Sequence, residues 1–165
     1  MALRQIRKDG DEILHKKAKP VKEINQSIIT LIDDMIETLR DKNALGLAAP
    51  QIGVLKRIVV IEHEDEVFEM INPEIIETEG EQISNEACLS IPGLCGDVKR
   101  PIKVKVRAQD RNGDFMELEG EQIMASVFSH ELDHLDGILY TQNATNVKHI
   151  TEEELIQRKA RSNKE

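Results

Sequence analysis

The sequence predicts an α+β fold: antiparallel β-strands surrounding a central helix, with an N-terminal and a C-terminal helix packed outside. Three observations predict it. Helical spacing of apolar residues marks a segment near each end of the chain and one late in it. Between them the pattern changes to period two or to continuous β-branched runs. The late helix carries His130-Glu131-Leu132-Asp133-His134 among Val127, Leu132 and Leu135, so it is mostly buried and its polar groups need partners.

Residues 1–24 read as irregular, with turn-forming Asp9-Gly10-Asp11 and the breaker Pro20. Ile28, Ile32, Met35, Ile36 and Leu39 then recur at helical spacing, with Asn25 or Ser27 as N-cap and an end near Asp41. The small, glycine-containing stretch 43–53 reads as a loop or short extended segment. Strands are expected over 57–63, 67–71, 75–83 and 97–110; in the last, Ile102, Val104 and Val106 face one way and Lys103, Lys105 and Arg107 the other. Asn112-Gly113 signals a hairpin turn into 115–119. Gly120 breaks the sheet pattern, and a helix from about 121 to 136 stops at Gly137, a natural C′ residue. A capping box, Thr151 to Glu154, opens the last helix, whose charged tail 159–165 is expected to fray. With no repeat, low-complexity tract or long linker, a single domain over 1–165 is expected.

Aromatic residues make up only 2% of the chain, so the core must be aliphatic. The formal charge of −9 disfavours nucleic acid as a partner, since phosphate contacts come from Lys and Arg. The N-terminus lacks an apolar signal region and no run is long enough to span a membrane, which predicts a cytoplasmic protein without a membrane partner. In such a compartment Cys88 and Cys95 suit metal or catalytic roles better than a disulfide.

His130 and His134 lie four residues apart, on one helix face about 5.4 Å along the axis, so both can bind one transition-metal ion. Glu131 is then close enough to handle the proton of an activated water. A hydrolytic site needs a third protein ligand. His15, His63, His149, Cys88, Cys95 and several carboxylates are available. Cys88 is attractive because a thiolate binds zinc or ferrous iron strongly, but an inert buried thiol is an equal reading on spacing alone. In Gly46-Leu47-Ala48-Ala49-Pro50-Gln51, small residues let backbone approach a ligand, and Gln51 can present an amide N–H to a developing oxyanion.

Taken in order, Gly46-Leu47-Ala48-Ala49-Pro50-Gln51, Glu86-Ala87-Cys88-Leu89-Ser90 and His130-Glu131-Leu132-Asp133-His134 resemble the three signature motifs of the peptide deformylases. Ile71-Asn72-Pro73, the stretch 98–106 and Leu135-Asp136-Gly137 extend the resemblance over nearly the whole chain. It implies removal of the formyl group from N-terminal formyl-methionine of nascent peptides. It implies one divalent ion, Fe2+ in the cell, with Zn2+, Ni2+ or Co2+ possible after purification. Cys88, His130 and His134 match its ligands, Glu131 its acid/base, and Gln51 with the backbone N–H of Leu89 the oxyanion donors. Gly46 matches the strand-like edge that binds substrate main chain. Leu45, Ile123, Ser126 and Val127 fall where the family lines its methionine pocket, Ser126 at a position usually apolar. Arg100 matches a family arginine and is expected to pair with Glu86 or Asp133. The family's C-terminal helix also suggests the ribosome as a partner. Three further positions depart from the pattern: Ala44 and Ala87 replace glycines and Ser129 replaces a glutamine. The alanines raise the prospect of a narrowed groove or a backbone angle that only glycine tolerates well. The rival readings are a degenerate deformylase that binds metal and peptides without full activity, and an HExxH zinc peptidase.

Overall fold

The computed structural model describes residues 2–162, in the order α1 (Gln26–Asp41), β1 (Gly46–Ala48), β2 (Ile58–His63), β3 (Glu66–Glu79), β4 (Gln82–Cys88), β5 (Ile91–Arg100), β6 (Lys103–Gln109), β7 (Phe115–Glu121), α2 (Ile123–Leu135), β8 (Thr145–His149) and α3 (Glu152–Ser162). The strands form two antiparallel sheets, ordered β1-β2-β3-β6-β7 and β4-β5-β8. Among the described residues no helix is long and apolar enough to cross a membrane.

The central layer follows from β2. Its run Ile58-Val59-Val60-Ile61 is apolar at every position, as a strand buried on both faces must be. Ile58 and Val60 pack with Ile28, Ile32, Met35 and Leu39 of α1. Val59 and Ile61 pack with Ala125, Phe128, Leu132 and Leu135 of α2. The two helices therefore cover opposite faces of the larger sheet. Asn25 is the N-cap of α1, its side chain accepting from the Ile28 N–H at 3.1 Å. The box at α3 also forms, with the Glu154 N–H donating to Thr151 Oγ1.

Several boundaries differ from the sequence pattern. β3 runs straight through Asn72-Pro73 because a bulge sits there: Asn72 takes φ 53° and the register with β6 shifts. A bulge is where a strand tolerates a residue without an N–H. The expected strand 75–83 divides at Gly80, φ 67°, so that Gln82 and Ile83 open β4 in the other sheet. The expected strand 97–110 likewise divides at Pro101, which cannot donate to a ladder. The N-terminal stretch holds a 3-10 turn at Glu12–His15, and β8 appears where no alternation foretold it. The last helix continues through Ser162; 163–165 of the expected frayed tail lie outside the described residues. Gly137 does close α2 in a left-handed conformation, φ 74°, and a Cβ there would lie 2.5 Å from the His15 carbonyl oxygen.

Asp34 fastens the N-terminal segment to α1. It accepts from the Ala2 N–H at 2.7 Å and from Arg4 Nε at 2.9 Å, while the Arg4 N–H donates to Thr38 Oγ1. Burial works against the Asp34 charge, but these bonds outweigh it and hold the carboxyl below its usual 3.8. A carboxylate with a depressed folded pKa contributes stability above its unfolded pKa and loses it as pH falls through the folded one. Asp34→Asn is expected to lower stability by about 1–3 kcal/mol at neutral pH. The gap should narrow below about pH 4. Urea unfolding at pH 7 and pH 3 measures it; an equal gap at both would refute the ionic contribution.

Candidate metal centre

β4 lies along α2 with its even-numbered side chains turned inward. Gln82 Nε2 reaches Ser126 Oγ at 3.2 Å, Glu86 Oε1 meets His130 Nδ1 at 2.9 Å, and Cys88 Sγ meets His134 Nε2 at 3.4 Å. Two periods explain the alignment: residues two apart share a strand face, and residues four apart share a helix face. Ser126, His130 and His134 form such a row.

Cys88, His130 and His134 are the one group of three potential ligands among the described residues, with ligand atoms all within 4.8 Å of one another. A sulfur at about 2.3 Å and a nitrogen at about 2.0–2.1 Å on a tetrahedral ion stand roughly 3.5 Å apart. The 3.4 Å between Cys88 Sγ and His134 Nε2 fits that geometry. Glu86 engages His130 through Nδ1, which leaves Nε2 as the donor atom. Burial disfavours a charge on His130, yet Cys88 and Glu86 overcome it and raise its affinity for a proton well above the usual. Burial and the charge at His130 push His134 the other way, well below the usual imidazole value. One sulfur and two imidazole nitrogens at this spacing fit a divalent ion. The other ligand candidates lie apart. His15 sits on the first 3-10 turn beside Gln142, His63 ends β2, His149 ends β8, and buried Cys95 faces Arg158.

Arg100 closes the rear of the site. Its Nε and Nη2 grip the two Glu86 oxygens at 2.8 and 2.7 Å, and its Nη1 reaches Asp133 at 2.7 Å. It pairs with both expected partners at once. Burial opposes the Glu86 charge, but Arg100 and His130 outweigh it and lower its pKa to about 2.

Glu131 points the opposite way, toward β1. A Cβ on Gly46 would lie 2.8 Å from Glu131 Cγ and 3.1 Å from its Oε1, so only glycine admits this carboxylate. Burial raises Glu131 to about 7, and its Oε2 is buried with no hydrogen-bond partner among the described residues. Gln51 is also fixed. Its Oε1 accepts from the Ala48 N–H at 2.9 Å, which assigns the amide and directs Nε2 at Ser90 Oγ and Cys88 Sγ, 3.3 and 3.5 Å away. Leu89 is in the turn between β4 and β5, pinned by Lys8 Nζ on its carbonyl and by the Asp9 N–H on Ser90 O. β1 pairs with β2 on one side only, so its other edge is open within its sheet. Ile123 and Val127 are half-buried and Ser126 buried on the His130 face of α2; the Leu45 carbonyl is engaged by the Glu62 N–H.

Neither Ala44 nor Ala87 has a positive φ, so no glycine-only angle is demanded of them. Ser129 bonds back to the Ala125 carbonyl at 2.8 Å. Three participants carried no assigned role in the sequence: Ser90 beside Gln51, Gln82 beside Ser126, and Tyr140, whose ring stacks on His130 at 5.8 Å between centroids. Ser90 lay inside a recognised motif; nothing local marked the other two.

Convergent sulfur and imidazole donors, a buried carboxylate beside them and an oriented amide are the parts that a metal-dependent hydrolase would use. The family model described as polypeptide deformylase matches residues 3–149. The chain is 54% identical over 159 residues to a peptide deformylase of Acetivibrio thermocellus, covering 96% of this chain and 92% of that one. It is 53% identical to one of Thermoanaerobacter pseudethanolicus, covering 93% and 96%. The crystal structure of a peptide deformylase from Legionella pneumophila superposes with a TM-score of 0.85 at 40% identity, covering 99% of this chain and 96% of that one. The enzyme from Thermotoga maritima gives 0.85 at 36%, covering 88% and 99%. The chain belongs to the polypeptide deformylase family.

Two substitutions test the geometry. Gly46→Ala should displace Glu131 and lower kcat by about 10²-fold, with bound metal unchanged; loss of metal with activity would refute it. Arg100→Ala leaves Glu86 buried without its counter-ion, at a cost of about 3–5 kcal/mol, and should weaken metal retention by roughly 10–100-fold. Chelator titration and thermal unfolding read both effects.

Proposed function

We propose that Cys88, His130 and His134 hold one divalent metal ion with which the enzyme removes the formyl group from N-terminal formyl-methionine of nascent peptides, releasing formate. The observation that carries this reading is the convergence of those three donors beside Glu131. The ion supplies Lewis acidity and brings the ionisation of water toward neutral pH. Fe2+ is the ion proposed in the cell; Zn2+, Ni2+ and Co2+ suit the same soft donor set.

The protein's own groups do the rest. Glu131, held near neutrality by burial, takes a proton from the attacking water and returns it to the departing amine. The Gln51 amide and the Leu89 N–H donate to the oxygen that gains charge on the formyl carbon. One such donor is typically worth about 2.7–4 kcal/mol in the barrier. The open edge of β1 at Gly46 pairs with substrate main chain as an added strand. Leu45, Ile123, Ser126 and Val127 receive the first side chain. Arg100, Glu86 and Asp133 keep His130 and α2 in register, and α2 serves as the central axis of the fold.

We further place this activity in one catalytic domain over 1–165, in the cytoplasm where nascent chains emerge. There α3, with Arg158, Lys159 and Arg161, is the segment suited to meet the ribosome.

An iron-loaded sample assayed anaerobically should release formate from formyl-Met-Ala-Ser. Glu131→Gln should keep its metal and lose about 10²–10⁴-fold in kcat. No formate from the iron-loaded protein would overturn the proposal.

A further inference from the structure

Two serines on α2 use their hydroxyls differently. Ser129 donates to the Ala125 carbonyl of its own helix, the usual outlet for a helical serine. Ser126 does not. It accepts from Gln82 Nε2 at 3.2 Å, and no acceptor for its own proton is found among the described residues. The equivalent carbonyl one turn back, Gln122 O, is already taken by the Ser126 N–H and by Gln82 Nε2, at 3.1 and 2.8 Å. Gln82 Nε2 shares its two protons among three acceptors, the Gln122 carbonyl at 2.8 Å, the Pro101 carbonyl at 3.0 Å and Ser126 Oγ at 3.2 Å, so Ser126 receives the longest of the three bonds. Ser126 is thus a buried hydroxyl that accepts one shared bond and keeps an unspent proton.

Its position gives that proton a direction of use. Ser126 is one helical turn before His130, on the same face as Ile123, Val127 and His134. That stretch of the helix presents half-buried Ile123 and Val127 beside the Ser126 hydroxyl, two aliphatic residues and one donor. From this we propose that Ser126, oriented by Gln82, donates a hydrogen bond to the first side chain of the substrate, and that the enzyme deformylates N-formyl peptides beginning with methionine sulfoxide as well as methionine. The inference rests on the deformylase reading above.

The chemistry selects the sulfoxide. A thioether sulfur is a weak acceptor. Oxidation converts it into a polar, chiral group with a strong acceptor oxygen. An all-aliphatic pocket would strip that oxygen of water and return nothing. A single donor at one fixed point accommodates it, and favours one sulfoxide epimer over the other.

The test compares kcat/KM of the metal-loaded enzyme on formyl-Met-Ala-Ser, on the two epimers of its methionine sulfoxide analogue, and on the formyl-norleucine analogue. Parent enzyme should cleave the preferred epimer within about tenfold of the methionine peptide. Ser126→Ala should lower the sulfoxide-to-methionine ratio by roughly tenfold, one lost hydrogen bond to a buried acceptor, and erase the epimer preference. The norleucine-to-methionine ratio, which has no acceptor to lose, should hold. Gln82→Ala should move the sulfoxide ratio in the same direction by a smaller factor. An unchanged sulfoxide ratio in Ser126→Ala, or an equal shift in the norleucine ratio, overturns the proposal while formyl-Met cleavage still supports the deformylase reading. Absence of formyl-Met cleavage by the parent would fail that reading instead.

Discussion

The centre depends on one buried carboxylate. Glu86 receives Arg100 from β5 through both oxygens and His130 from α2 through one, so it ties two strands of one sheet to the helix that carries the site. Charges taken out of water are costly, and an incomplete set is costlier than none. Here the set is complete: Arg100 also satisfies Asp133, one helical turn from the histidine it indirectly holds. The consequence for His130 is directional. Its Nδ1 is occupied, so only Nε2 can turn to an ion. Ring orientation is therefore set before any metal arrives.

The site combines opposite electrostatic environments over a short span. On the β4 side, Arg100 and His130 hold Glu86 ionised, and Cys88 and Glu86 raise the proton affinity of His130. On the β1 side, Glu131 has no hydrogen-bonded counter-ion among the described residues, and burial, the largest of several influences, brings it toward neutral pH. Two carboxylates on the same centre are thus pushed apart by their surroundings, Glu86 kept charged and Glu131 brought toward neutral pH, the separation that the proposed roles of positioning and proton exchange call for.

Parts of this were legible in the sequence because they are local. The histidine pair follows from helix period, Asn25 from capping chemistry, and the Asn112-Gly113 turn from backbone preference. The ordered motifs named Cys88 and Gln51 although spacing alone left Cys88 equal to an inert thiol. What stayed hidden depends on contacts between distant segments. Gly46 is required by the side chain of Glu131, and no local pattern links a strand glycine to a helix far along the chain. Gln82 reads as an ordinary polar strand residue until β4 is laid along α2. The strand boundaries failed where a bulge at Asn72 and a proline at 101 decide continuity, which depends on ladder partners and not on alternation. β8 failed because all five of its residues are exposed and show no face.

The open edge of β1 has a second consequence, for self-association. A strand left free to receive a peptide is equally free to template another copy of the chain. This one is limited to three residues, then curled away by the 3-10 turn that begins at Ala49-Pro50. The same Pro50 that opens that turn removes the next N–H a foreign strand would use. Three residues suit the short N-terminus of the proposed substrate and offer a second copy of the chain little ladder to extend.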